Sequence, residues 1–365
     1  MESLNINQRT LLWLSVNGIS NNKTSKLLDY FGSPEDLWDN FESEKYNLFL
    51  LTTDRINKLS ESKNNFEEKI LGRLNSLKAE AVTIFDEAYP DKLKQIESPP
   101  YLLYYKGGLE SINNISIAVV GSRKATSYGK WAAEKLTKEL SEIGVNIVSG
   151  IAAGIDTTAH KTALKYGAKT FGIIGCGINV VYPKKNLELY KQIYEGRGAV
   201  ITEYPFDIQP VPFNFHDRNR IISGLSDGVL VIEAQEKSGT LITAGHAANQ
   251  GREIFAVPGN IDSLYSKGTN ALIRDGAKIT TSIDDIIEEI MELKQLMKLQ
   301  NVFTDISTLT ENELKIVNCL KKGKNTIDEL RQETKMDTGE LLGNITLLEM
   351  KGAIQVTGSS IMLNV

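Results

Sequence analysis

Short apolar runs recur through the middle of the chain, at Ile115–Val120, Val145–Ser149, Lys169–Ile174, Ala199–Thr202, Gly228–Glu233, Glu253–Val257 and Ala277–Thr280. Their apolar residues are consecutive and do not alternate with polar ones, which is the pattern of strands buried on both faces. Helical patterns separate most of the runs, for instance Tyr128–Ile143, Thr157–Tyr166 and Leu241–Gln250. This alternation predicts an α/β fold, a doubly wound, mostly parallel sheet between two layers of helices. Two further strand patterns stand upstream, Ala81–Phe85 and Tyr101–Tyr105, beside the rigid points Tyr89-Pro90 and Pro99-Pro100.

The two ends read differently. Residues 1–75 carry short helical patterns. Ser33 is placed to cap a helix that starts at Pro34, Ser20 or Asn21 to cap the one before it, and Asp54–Leu74 reads as one longer, more polar helix. Downstream, Ser282–Leu299 reads as a helix leaving the α/β part, and residues 300–309 as a polar linker. From Thr310 the pattern is helix Glu311–Leu320, helix Thr326–Glu333, helix Thr338–Lys351, then strands Ala353–Thr357 and Ile361–Val365. Three helices and a hairpin are the order of a winged helix, which can set one helix in a major groove. Here that helix carries Glu340, Asn344, Thr346 and Glu349 before Lys351, a cation-poor face that suits an interaction module as well as a DNA reader. The expected organisation is a small helical domain over 1–75, an α/β domain over 79–299, a linker over 300–309 and a winged-helix-like domain over 310–365.

Charge narrows the partners. The 365 residues hold 41 Lys+Arg and 46 Asp+Glu, a net charge of −5. Residues 115–285 carry a slight positive excess and all three histidines, His160, His216 and His246. Such a chain does not coat polyanions indiscriminately, so any polyanion site is local and built from a few cations and helix ends. The two cysteines, Cys176 and Cys319, support neither a disulfide framework nor a thiolate zinc site. Glu2 and the polar stretch behind it do not read as a signal peptide, and no apolar run is long enough for a bilayer. The expectation is a cytoplasmic protein without membrane insertion.

In an open α/β sheet ligands bind beyond the carboxyl ends of the strands, and four stretches of this chain are expected there. The first is Gly121-Ser122-Arg123, whose glycine permits a tight turn and whose arginine adds a fork suited to phosphate. The second runs from Ser149-Gly150 to Asp156 and His160. That acid and histidine share a helix face, as a proton relay, as half a metal site, or simply as a structural cap and a packed histidine, and no third metal ligand stands at a convincing spacing. The third, Gly175-Cys176-Gly177, leads to Tyr182-Pro183 and Lys184, which either touches a phosphate or is solvated surface charge. Cys176 reads as a buried thiol, with no base fixed near it. The fourth is Asp217-Arg218-Asn219-Arg220 through Ser226, followed after a strand by Ser238-Gly239-Thr240 at a helix start. Its arginines, amides and hydroxyls suit a phosphodiester chain, with Glu233 placed to orient an arginine. No spacing makes a recognisable catalytic set, so no catalytic residue, metal or cofactor is expected.

These stretches occur in a familiar order: Gly121-Ser122-Arg123, Ser149 through Asp156, Tyr182-Pro183, Arg218 through Leu225, Glu233-Ala234, Ser238 through Ala244 and Val257-Pro258-Gly259. Together they resemble the DprA/Smf family of bacterial DNA-processing proteins over about residues 80–280, and more loosely at both ends. The resemblance implies a Rossmann-like sheet with a SAM-like helical domain and a winged-helix-like domain. It implies a non-catalytic protein that binds incoming single-stranded DNA, works beside the single-strand-binding protein, helps load the RecA recombinase and forms a homodimer through the Rossmann-like domain. It also implies that Arg123 lies in the DNA pocket, lined further by Arg218, Asn219 and Arg220. Where the family commonly has Phe-Pro before Arg-Asn-Arg, this chain has Phe215-His216-Asp217. Asp217 either weakens DNA binding or holds Arg218 in place.

The resulting expectation is physical. Arg123 and Arg220 converge at one rim of the sheet and neutralise phosphates of a flexible strand, while Ser122, Gly150, Ser238, Gly239 and Thr240 complete the cradle. Two rivals stand beside it. One is a nucleotide-binding or nucleotide-hydrolysing enzyme using Glu233, Asp156 and Arg123. The other is an adaptor whose acidic end domains recruit partners.

Overall fold

The structure is a computed structural model and describes residues 4–196, 198–297, 309–351, 353–357 and 360–363. Among them nine strands form one sheet: β1 (Glu80–Thr83), β2 (Leu102–Gly107), β3 (Ser116–Val120), β4 (Asn146–Ser149), β5 (Thr170–Ile173), β6 (Gly198–Thr202), β7 (Gly228–Val231), β8 (Glu253–Ala256) and β9 (Lys278–Ile279). Their order is β1-β2-β6-β5-β4-β3-β7-β8-β9. The seven from β3 onward run parallel, while β1 and β2 add an antiparallel edge. Every strand expected from the apolar runs is present within two residues at each end. β3, β4, β5 and β6 are buried along their whole length, as residues covered on both faces require.

The two sheet faces feed two cores. Along β2, Leu102 and Tyr104 join the core of the N-terminal helices, whereas Leu103 joins the core on the opposite face with Val120, Phe171 and Ile221. The period of two between successive side chains produces this division. The helices Ile6–Val16, Asn21–Phe31, Pro34–Glu44 and Thr53–Asn64 gather around Trp13, which packs edge-on against Trp38 and Phe41 and donates from Nε1 to the Leu59 carbonyl. Ser33 accepts from the Asp36 amide ahead of Pro34, as its position predicts, whereas Ser20 caps without a side-chain bond.

Two helical expectations need correction. The continuous helix over Asp54–Leu74 is interrupted: Thr53–Asn64 gives way to a wider π-turn at Glu67–Leu71 before Gly72–Ser76. Phe66, Ile70 and Leu74 stay buried across the wider turn. The Ser282–Leu299 helix is Asp284–Glu289 followed, after a break, by helical residues 291–297. Leu299, and all of the expected linker except Leu309, lie outside the described residues.

The chain divides into two compact units, Met1–Ile286 and Ile287–Val365. In the second, helices Glu311–Lys321, Ile327–Thr334 and Thr338–Met350 precede a hairpin of β10 (Ile354–Thr357) and β11 (Ser360–Leu363). Thr310 and Thr326 each form a reciprocal capping box with the glutamate three residues on, Glu313 and Glu329. Among the described residues no helix is long and apolar enough to cross a membrane.

Candidate functional site

β3 is the point where the sheet changes direction. It pairs with β4 on one side and β7 on the other, so the loops leaving β3 and β7 diverge and open a crevice beyond their carboxyl ends. The helix Pro212–Gly224, which carries the chain from β6 to β7, walls that crevice. The result is a cavity of about 420 Å³ lined by Gly121, Ser122, Arg123, Arg218, Asn219, Ser238, Gly239 and Thr240, with Lys124, Asp156 and Phe215 beside them. The first and second loops interlock to shape it. A Cβ at Gly121 would stand 2.6 Å from Ile155 Cγ1, and one at Gly154, where φ is +84°, would collide with the Ser122 carbonyl.

Two guanidinium groups share one aromatic ring here. The exposed Arg123 lies 5.6 Å from the Phe215 ring centroid and the buried Arg218 lies 5.9 Å from it. Phe215 rests in turn against Tyr182, 5.4 Å away. Arg218 donates from Nη1 to the carbonyls of Gly150, at 3.1 Å, and Ile173, and its buried Nε finds no partner among the described residues. Asp156 attracts it without forming an ion pair. That carboxylate is occupied by the amides of Gly150 and Ala152, at 3.2 and 3.3 Å. Burial pushes the Asp156 carboxyl up and the Arg218 guanidinium down, each opposed by their mutual attraction. The floor of the crevice therefore holds a cation ligated by carbonyls and not neutralised by a contacting carboxylate. Ser238 accepts from the Thr240 amide at 3.2 Å and starts the helix Gly239–Asn249 at the wall, so the positive end of that helix also faces the space.

Arg220 does not converge with Arg123, contrary to expectation. The stretch from Asp217 belongs mostly to the helix Pro212–Gly224 and is not a loop, so residues 218 and 220 point about 200° apart around its axis. Arg220 pairs through Nη2 with Glu203 and through Nε with Asp217 Oδ1 at 3.3 Å, and lines a different cavity. Arg218 takes the position beside Arg123. Asp217 accordingly holds Arg220, not Arg218, and accepts a hydrogen bond from the Tyr204 hydroxyl at 3.2 Å.

Three further expected members sit elsewhere. Ser149 is fully buried and donates to the Val119 carbonyl at 2.7 Å, tying β4 to β3. Gly150 backs Arg218 and lines a small adjoining recess of about 80 Å³ with Tyr182 and Pro183. Lys184 is exposed in the turn Lys184–Asn186, outside the lining of both spaces. Glu233 orients no arginine among the described residues. It accepts from the amide and hydroxyl of Thr126 and so anchors the start of helix Ser127–Glu142.

Asp156 and His160 make no relay, since the histidine bonds through Nδ1 to Thr170 Oγ1 at 2.7 Å and burial lowers its pKa to about 3. Burial likewise pushes the Cys176 thiol up to about 11. Among the described residues no three His, Cys, Asp or Glu side chains are grouped to hold a metal ion. Sequence reasoning missed Phe215 and Lys124 as members of the site. Phe215 stands three residues before Arg218, one helical turn, which is visible only once the segment is known to be helical.

Residues 80–291 match the profile of the family described as DNA recombination-mediator protein A. The chain is 39% identical to the DNA processing protein DprA of Bacillus subtilis (strain 168) over 249 residues, 66% of this chain and 83% of that one. It superposes on the X-ray structure of DNA processing protein A from Streptococcus pneumoniae with a TM-score of 0.65 and 36% identity, covering 79% of this chain and 99% of that one. A structure of DNA processing protein A from Helicobacter pylori, described for its single-stranded DNA binding mode, is 30% identical with a TM-score of 0.53, covering 58% and 96%.

Proposed function

Because this chain belongs to the DNA recombination-mediator protein A family, the DprA/Smf proteins, we propose that the crevice between the β3 and β7 loops holds the backbone of single-stranded DNA. The observation that carries this is the pair of guanidinium groups on Phe215, one exposed at the mouth and one buried beneath it without a contacting carboxylate. Arg123 and the exposed Lys124 meet the first phosphate, and Arg218 supplies positive potential from below. The N-terminal end of helix Gly239–Asn249 adds oriented amides.

A single strand suits such a site because its backbone bends into the crevice and an unstacked base can rest against Phe215 and Tyr182. The work is mediation and not catalysis: Glu233 and Asp156, the acids of the enzyme reading, are bound to Thr126 and to loop amides. In this reading the protein hands the strand to the RecA recombinase alongside the single-strand-binding protein, and a homodimer through the Rossmann-like part links two crevices on one strand. Avidity then exceeds that of either site. The helical segment over 1–75 and the winged-helix-like module over 310–365 serve as flanking domains of this core.

The test is fluorescence anisotropy with single- and double-stranded oligonucleotides across a salt series. Arg123→Ala should weaken single-strand binding several-fold and reduce the slope of log K against log salt by about 0.7, the share of one phosphate contact on a single strand. An unchanged slope, or equal affinity of the parent protein for duplex, would overturn the assignment.

A further inference from the structure

The loop that leaves β4 bends at a residue that resists bending. Ile151 has φ +53°, in the left-handed region that β-branched side chains avoid. Such a backbone persists only where its surroundings hold it. The Ile151 side chain is fully buried, and a Cβ added to Gly172 would stand 2.3 Å from its Cδ1. Its carbonyl accepts from Asn186 Nδ2 at 2.9 Å. Core packing thus fixes one side of this residue, and a side-chain amide the other.

The bend matters to the crevice because of what it aims. The Gly150 carbonyl lies in the peptide plane that φ of Ile151 orients. That carbonyl accepts from Arg218 Nη1 at 3.1 Å, while the amides of Gly150 and Ala152, on either side of Ile151, both donate to Asp156 Oδ2. At an ordinary φ near about −60° the plane would be turned by about 110°, and the carbonyl would leave the guanidinium. Arg218 would keep the Ile173 carbonyl, with its buried Nε still lacking a partner among the described residues.

Asn186 suits this place by its chemistry. It is 5% exposed, stands just before helix Leu187–Glu195, and lines neither the crevice nor the adjoining recess. Its Nδ2 donates to the Ile151 carbonyl and, also at 2.9 Å, to Thr157 Oγ1. Thr157 spends its single proton on the Ala152 carbonyl at 2.6 Å, so toward Asn186 it can only accept. Two acceptors therefore face one nitrogen that carries two N–H bonds. A carboxylate of the same shape would set an oxygen against both of them.

We infer that Asn186 is a positioning residue for the crevice: its amide holds the Ile151 bend, and the bend seats Arg218 beneath the mouth marked by Arg123. The ligand of the crevice rests on the DNA-binding reading, whereas the seating of Arg218 does not.

The experiment uses the full chain, with oligo-dT anisotropy beside the guanidinium NMR signals of isotope-labelled arginine. The Arg218 signals are assigned by their loss in Arg218→Lys, and thermal melting confirms that each variant is folded. In the parent the buried, bonded Arg218 guanidinium should show separate, slowly exchanging Nη signals. Asn186→Asp should merge or broaden them at about pH 8 and weaken oligo-dT binding several-fold. At about pH 5 the new carboxyl, buried against two acceptors, takes up a proton and regains one donor. Both readouts should then recover toward the parent measured at the same pH, whereas Asn186→Ala should recover neither. Weaker binding with the Arg218 signals unmoved means that Asn186 acts elsewhere and overturns the inference, as does loss of those signals with binding unchanged. Should Asn186→Asp not fold, Thr157→Val removes one of the two acceptors and decides by the same pair of readouts, with unmoved Arg218 signals overturning the inference. Failure of the parent to bind any single strand overturns the DNA-binding reading, and the Arg218 signals still decide whether Asn186 seats that cation.

Discussion

A Cβ placed on Gly150 would stand 2.8 Å from Arg218 Nη2 and 2.8 Å from Asp156 Oδ2. The charge geometry of the crevice floor therefore depends on one absent methyl group. Gly150→Ala forces the guanidinium or the carboxylate aside, and the buried surroundings of both leave little room to give. The expected outcome is a folded protein with about 1–3 kcal/mol less stability and several-fold weaker binding of a single-stranded oligonucleotide, read by thermal melting and anisotropy. Gly245→Ala is the matched control, since a methyl group added there would meet nothing within 4 Å and the residue is no part of the crevice lining. It should lower neither property.

At the scale of elements, the crevice depends on where helix Ser127–Glu142 begins. Thr126 Oγ1 accepts from the Gly129 amide at 3.1 Å and donates to Glu233, while the Thr126 amide donates to the same carboxylate at 3.0 Å. Glu233 is 3% exposed, so this joint is dry. Thr126→Ala loses the cap and one partner of a buried carboxylate. Urea denaturation should show about 1–2 kcal/mol lost, and the loop Gly121–Thr126 should exchange its amides faster. The helix Pro212–Gly224 shows why one element was not legible. Arg218, Asn219 and Arg220 are all buried, because each face of the helix meets a different polar lining. A helix with polar groups buried all round has no apolar stripe, and periodicity cannot find it.

For the whole molecule, two buried groups set opposing responses to pH. Burial raises Glu203 to about 7 against the pull of Arg220, so from its ordinary 4.5 up to about 7 the folded state binds more protons than the unfolded chain. Its contribution to stability therefore falls as pH rises through that window. Burial lowers His160 from 6.5 to about 3, so between those values the unfolded chain binds more protons and this contribution rises with pH. The two partly cancel between about pH 4.5 and 6.5. Glu203→Gln removes the first, and the stability of that variant relative to the parent should climb from pH 4.5 to 7 in urea titrations. A parallel pH dependence in the two proteins would contradict the assignment of a raised Glu203.

Consecutive apolar residues from Ile115 to Thr280 were enough to establish a doubly wound parallel sheet, because strands buried on both faces have no solvent side to mark with polar residues. The loop stretches Gly121-Ser122-Arg123 and Ser238-Gly239-Thr240 were likewise legible, since glycine and hydroxyl residues behind a strand announce a turn at the ligand edge. Which arginine faces which cavity was not. That depended on the helical phase of residues 212–224, and on the meeting of Glu203, Asp217 and the N-terminal helices around Arg220. Partners brought together from separate elements leave no periodic trace in the sequence, so folding alone selects Arg218 for the crevice and Arg220 for the space behind it.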